Sequence, residues 1–258
     1  MNARSIAFVV AALAAASFPA AALDGREIMQ NVDAVKKPRF SHSAVKMELV
    51  DKTGGVEVRQ IEEWGKNEND LTSVVMAFHT PASVKDTRFL QVENKDKADD
   101  KWIYLPALRS VRRVASSEGD KSFMGTDATY DDMSTREVDQ DTHELLGEKT
   151  VAGFDCWTVK STATDPADSQ YAHRITYVDK KTSVPVRVEM FDKKDSALLK
   201  VLEVEKLENV GGYWITRATS LSNVKTGHST RITLMKIEVD KQVSPKLFTP
   251  AFLSTGRL

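Results

Sequence analysis

The chain has one cysteine, Cys156, so no internal disulfide can form and the fold must rest on its core alone. Between Asp155 and Trp157 in an apparent strand, that thiol reads as a buried, inert side chain rather than a nucleophile. Twelve Gly and 8 Pro in 258 residues are too few for a fibrous or low-complexity protein, and no segment repeats at a fixed period. Neither sign of charge dominates: 36 Lys+Arg face 37 Asp+Glu, which argues against a nucleic-acid partner that is bound through counterion release. His42, His79, His143, His173 and His228 are scattered, with no pair spaced to share a metal ion, so no metal site is assigned. G-x-S-x-G, H-E-x-x-H, the P-loop and G-x-G-x-x-G are all missing. No nucleophile and base can be paired, so no catalytic residue and no cofactor is expected. Asp127, Asp131 and Asp132 lack the alternating oxygens of a calcium loop and read instead as partners of nearby Arg.

One long apolar run is present, Ile6 to Ala16, preceded by Arg4 and followed by Phe18-Pro19 and Ala20-Ala21-Ala22. It is shorter than the ~20 residues that span a bilayer, so residues 1–22 read as a cleavable signal peptide rather than a membrane anchor. Residues 23–258 then form one domain, since no Pro-rich or Gly/Ser-rich linker divides them.

Asp24 with Glu27 three residues on resembles a capping box, and Ile28, Val32 and Val35 follow at helical spacing up to Pro38, which predicts one short amphipathic helix. From Ser41 the period becomes 2. Val45, Met47 and Leu49 alternate with polar residues, and Thr53-Gly54-Gly55 turns the chain into a return strand at Val56 and Val58. Strands are predicted at Leu71 to His79, Arg88 to Glu93, Lys101 to Leu105, Ser110 to Ala115, Phe154 to Ser161, Ala172 to Asp179, Val184 to Phe191, Leu198 to Leu207, Tyr213 to Leu221 and Thr230 to Val239. Short polar turns join most of them, so the strands should form an antiparallel meander. Ser116 to Asp141 breaks the alternation and reads as a loop with a short helix near Tyr130 to Met133. A sheet this wide curls under its own twist, and the scarce helices cannot cover all of it. It therefore either closes as a plugged barrel or leaves an apolar concavity for a ligand.

Trp102 and Tyr104 share one face of their strand while Ile103 and Leu105 share the other, so the strand lies between two buried layers, of core or of core and cavity. Arg109, Arg112 and Arg113 are the densest cation cluster. They read either as a solvated strand edge protected against mispairing, or as a rim for lipid headgroups or an acidic partner.

The block from Lys101-Trp102-Ile103-Tyr104-Leu105-Pro106 through Arg112-Arg113 to Ser122-Phe123-Met124-Gly125-Thr126-Asp127 and Tyr130-Asp131-Asp132-Met133 resembles the signature of the LolA-like outer-membrane lipoprotein-sorting proteins. Leu247-Phe248-Thr249-Pro250 resembles that family's closing strand and turn. The resemblance implies a mainly β fold, an incomplete antiparallel β-barrel closed by an N-terminal helix and a helical loop. It also implies a monomeric periplasmic carrier that binds acyl chains of lipoproteins or other lipids and moves them from the inner to the outer membrane, meeting an inner-membrane transporter and an outer-membrane acceptor. On this reading Met47, Leu49, Met76, Phe78, Phe89, Trp102, Tyr104 and Met124 are the lipid-binding candidates, and Arg109, Arg112 and Arg113 the rim or partner contacts. The Arg-Pro strand of the best-known carriers has no counterpart between Trp64 and Phe78, where Lys66 is the only cation. An adaptor that docks on an envelope permease is the competing expectation; an enzyme acting on lipids is a third.

Overall fold

The computed structural model describes residues 24–95 and 97–257. The signal peptide read over residues 1–22 lies outside the described residues. Helix α1 (Gly25–Asp33) precedes β1 (Phe40–Val50), β2 (Val56–Glu68), β3 (Leu71–Thr80), β4 (Arg88–Val92), β5 (Asp100–Leu105) and β6 (Ser110–Arg113). A crossing segment, residues 114–140, leads to β7 (Asp141–Val151), β8 (Phe154–Ala163), β9 (Tyr171–Asp179), β10 (Pro185–Asp192), β11 (Leu198–Val210), β12 (Tyr213–Asn223), β13 (His228–Val239) and helix α2 (Pro250–Thr255).

All thirteen strands form one sheet in the order β6-β5-β4-β3-β2-β1-β13-β12-β11-β10-β9-β8-β7, with every neighbouring pair antiparallel. The chain walks outward from β1 to β6, crosses to β7, and walks back until β13 pairs with β1. The sheet is an incomplete antiparallel barrel whose two edges, β6 and β7, are not bonded to each other.

Alternation along the strands sorts the residues onto two faces. Val45, Met47 and Leu49 of β1 join Ile61, Phe78, Phe89 and Ile103 on the concave face, where Phe123 and Tyr130 of the crossing segment pack on them. The Phe89 and Phe123 ring centroids are 4.9 Å apart and those of Phe123 and Tyr130 5.7 Å, both edge-to-face, an arrangement worth about 0.5–1.5 kcal/mol per pair beyond burial. On the convex face Val75 and Leu90 pack with Trp64, Trp102 and Tyr104 under Leu247, Phe252 and Leu253 of the C-terminal segment. β4 thus carries two fully buried neighbours, Phe89 and Leu90, pointing opposite ways.

The helix α1 begins where the sequence placed it: the Asp24 carboxylate accepts from the Glu27 N–H at 2.8 Å. Its apolar side packs Ile28 against Val159 and Val178 inside the β7–β9 end of the sheet. Gly25 makes that approach possible, since a Cβ there would sit 2.9 Å from the backbone of His143 and Leu145. Cys156 is fully buried, and burial pushes its thiol up to about 11, which makes it a poor nucleophile.

Three segments differ from the sequence expectation. β7 was not predicted: it is an edge strand whose outward side is charged and exposed, and Gly147, at φ +128°, interrupts its alternation at a bulge. Tyr130 to Met133 form turns rather than a helix, because Thr129 and Asp132 bond each other's backbone N–H groups and close the segment locally. The segment read as a closing strand and turn is helical. Pro245 starts a short 3-10 helix to Phe248, Thr249 caps α2 by accepting from Phe252 N–H, and Pro250 fits its first turn, where no N–H is required.

Replacing Gly25 by Ala is expected to push α1 off β7 and lower stability by about 1–3 kcal/mol, read as a fall in the midpoint of urea unfolding.

Candidate functional site

Between the crossing segment and the far wall of the barrel lies a cavity of about 590 Å³. Met29 and Val32 of α1, Met47, Met76 and Phe123 line one side of it. The other side is Val188, Met190, Leu202, Leu221 and Ile232, each from a concave position of β10 to β13. These walls are flexible thioethers and branched aliphatic chains, which adapt to apolar ligands of varied shape, while Lys37, Asp131, Arg136, Glu137 and Arg174 add a charged side to the lining.

The crossing segment is the cavity's floor and is held by polar anchors to both walls. Asp132 accepts from Lys200 Nζ at 2.7 Å and from the Tyr171 hydroxyl at 2.7 Å. Burial, reinforced by the Asp132 charge, holds the Tyr171 phenol well above its ordinary range, so it stays a donor. Asp127 meets His228 Nδ1 at 2.7 Å and the Thr230 hydroxyl at 2.7 Å. On the opposite wall Arg59 donates to the Met124 carbonyl at 2.6 Å, Gln91 to the Met133 carbonyl at 2.9 Å, and Lys101 to the Ser134 hydroxyl at 2.6 Å. Burial lowers the Lys101 pKa and raises that of Asp131. The expected Arg partners of Asp127 and Asp132 are in fact His228 and Lys200; Arg136 and Arg174 pair with Asp141 instead.

Of the residues singled out from sequence, Met47 and Met76 line the cavity. Leu49, Phe78 and Phe89 are concave but belong to the solid core beneath the crossing segment. Met124 lies in the crossing segment itself, at φ +52°, against that core. Trp102 and Tyr104 face the other way, under α2, with the Arg88 guanidinium 4.8 Å from the Tyr104 ring centre; as cavity residues they are a correction. The cause is a strand apolar on both faces, in which alternation gives two sets and nothing in the strand says which is inside. Arg112 and Arg113 sit on the free edge strand β6, paired with Glu118 and Asp100. Arg109 occupies the exposed β5–β6 turn beside Leu108, which is 64% exposed. Sequence reasoning missed the lining from β10 to β13, although Val188/Met190 and Thr230/Ile232 carry the same two-residue period. Among the described residues no group of three or more His, Cys, Asp and Glu could hold a metal ion.

A family model described only as uncharacterized protein-like matches residues 70–255, well over half of the chain. A domain assigned to outer membrane lipoprotein sorting, from Vibrio parahaemolyticus, is 27% identical over 89% of this chain and 98% of its own, with a TM-score of 0.83. The chain belongs to the family of that sequence model and is similar to this lipoprotein-sorting domain over most of its length. A DUF1329 family protein from Desulfovibrio piger is 28% identical, with 89% and 97% of the two chains covered and a TM-score of 0.83. A LolA superfamily protein from Nitrosomonas europaea shares the fold at 16% identity and a TM-score of 0.66, over 88% of this chain and 98% of that one. No curated protein matches.

One concave residue stands apart from this lining. The pairing of β2 with β1 and β3 puts Glu63 opposite Ser43 and Met76, on the same side as Ile61. Burial pushes its carboxyl up to about 7. Since that is above its value in the unfolded chain, Glu63 lowers stability as pH rises from about 4.5 through 7. Glu63→Gln should flatten that part of the pH–stability curve and leave the protein more stable than wild type at pH 8, as read by thermal melts across pH.

Lys200 and Asp132 are both largely buried, so Lys200→Ala strands a carboxylate and should cost about 3–5 kcal/mol in urea unfolding. Lys200→Met combined with Asp132→Leu should cost markedly less.

Proposed function

We propose that the protein is a periplasmic carrier, exported by the segment 1–22, which takes up an acyl chain of a lipoprotein or another lipid and shuttles it from the inner to the outer membrane without catalysis. The observation that carries this reading is the apolar cavity of about 590 Å³ between the crossing segment and β10–β13. At roughly 30 Å³ for a methylene-sized group, about the share of one water, it has room for ~20 carbons. That is one long chain. A cargo with several chains and ~40 methylenes would need the crossing segment to move away.

A chain of ~20 methylenes loses about 0.8 kcal/mol per group on passing from lipid to water, or ~16 kcal/mol, so unaided crossing is negligible. A cavity that gripped the chain much harder than a bilayer would never release it. Pocket and membrane must therefore be nearly matched, and direction comes from the partners that load and unload: an inner-membrane transporter and an outer-membrane acceptor. The β5–β6 hairpin offers a surface for them, with Leu108 and Arg109 at its tip and Arg112 and Arg113 on its edge.

Delipidated protein mixed with a single-chain phospholipid should retain one lipid per protein under native mass spectrometry. Leu202→Trp, which fills the cavity, should weaken that binding at least tenfold while the protein stays folded by circular dichroism. Absence of bound lipid in the wild type would overturn the carrier reading.

A further inference from the structure

At the crossing segment Asp132 is paired with Lys200, Asp127 with His228, and Asp141 with Arg136 and Arg174. Glu63 is not. Among the described residues its carboxyl has neither an ion pair nor a hydrogen bond, although the next carboxylate along the strand, Glu62 on the convex face, bonds both His42 and His79. The surroundings of Glu63 are small and polar on one flank and apolar on the other. Across β1 stands Ser43, itself buried, and one step toward the barrel mouth Ser41 lies over Gly65. Across β3 stands Met76, which lines the cavity. Glu63 thus lies beside Met76 of the cavity lining, and further along β2 is the end of the barrel at which the chain after α1 and the β2–β3 turn meet.

Glu63 is partly buried, and a carboxylate with no donor from the protein costs stability unless water or a ligand completes it. The missing partner must be a donor, and a cation is the donor that best suits a lone carboxylate in a weakly polar setting. A molecule whose chain runs past Met76 into the cavity would bring its polar end to this position.

We propose that Glu63 is the head-group site of the cavity and selects lipids that carry an ammonium group, with the hydroxyl of Ser43 as a second polar contact. This rests on the carrier reading and adds the chemical class of cargo to it.

The test compares lysophosphatidylethanolamine with lysophosphatidylglycerol of the same single chain, in which a glycerol head with two hydroxyls and no ammonium replaces the ethanolamine. Affinities for delipidated wild type and Glu63→Gln are measured by native mass spectrometry titration at pH 8, with thermal melts in parallel. The expected result is at least a tenfold preference of the wild type for the amine-headed lipid, a ratio near one in Glu63→Gln, and a melting temperature of the variant no lower than that of the wild type. Equal affinities in the wild type, or a preference that survives in Glu63→Gln, would overturn the head-group assignment and leave the carrier reading standing. Failure of both lipids to bind the wild type would overturn the carrier reading, and the assignment with it.

Discussion

The buried ion pair between Lys200 and Asp132 ties the crossing segment to the far wall of the barrel, and the interior depends on that tie. A sheet of thirteen antiparallel strands twists until one face turns in on itself, and that face must be filled by something. Helices are too few to do it. One stretch of chain between β6 and β7 does most of the filling, and divides the interior in two: a solid half, where Phe123 and Tyr130 press on Phe78 and Phe89, and a hollow half against β10 to β13. Hydrophobic burial places the segment on the first half. Directional polar bonds to Lys200, Tyr171, His228 and Thr230 fix its height above the second, and so set the size of the hollow.

The two-residue period from Ser41 onward was strong enough to locate twelve of the thirteen strands, because half-buried strands write their burial directly into alternation. It failed at β7, where an edge position allows charge on the outward side and a bulge at Gly147 shifts the phase. The N-terminal helix was legible from Asp24 and the spacing of Ile28 and Val32, both local signals. The C-terminal helix was not, although Pro245, Thr249 and Pro250 are helix-start residues, because the resemblance suggested a strand there.

The site was only half legible, for a reason that concerns faces rather than strands. Met47 was placed on the cavity because β1 alternates apolar with polar residues, while Trp102 and Tyr104 were misplaced because β5 has two apolar faces. Which of two apolar faces is inward depends on where α2 and the crossing segment dock, and no residue within the strand reports that. The lining from β10 to β13 had the right period but no feature to distinguish a cavity wall from a core.

The open gap between the edges β6 and β7 bears on how such a container changes volume. A continuous ring of strands can widen only by breaking a whole ladder of backbone bonds somewhere along its circumference. Here one joint was never made, so the two ends of the sheet can part by bending alone, and the resistance comes from a handful of side chains in the piece that spans the gap. Girth in this molecule is governed by a clasp instead of by a weld.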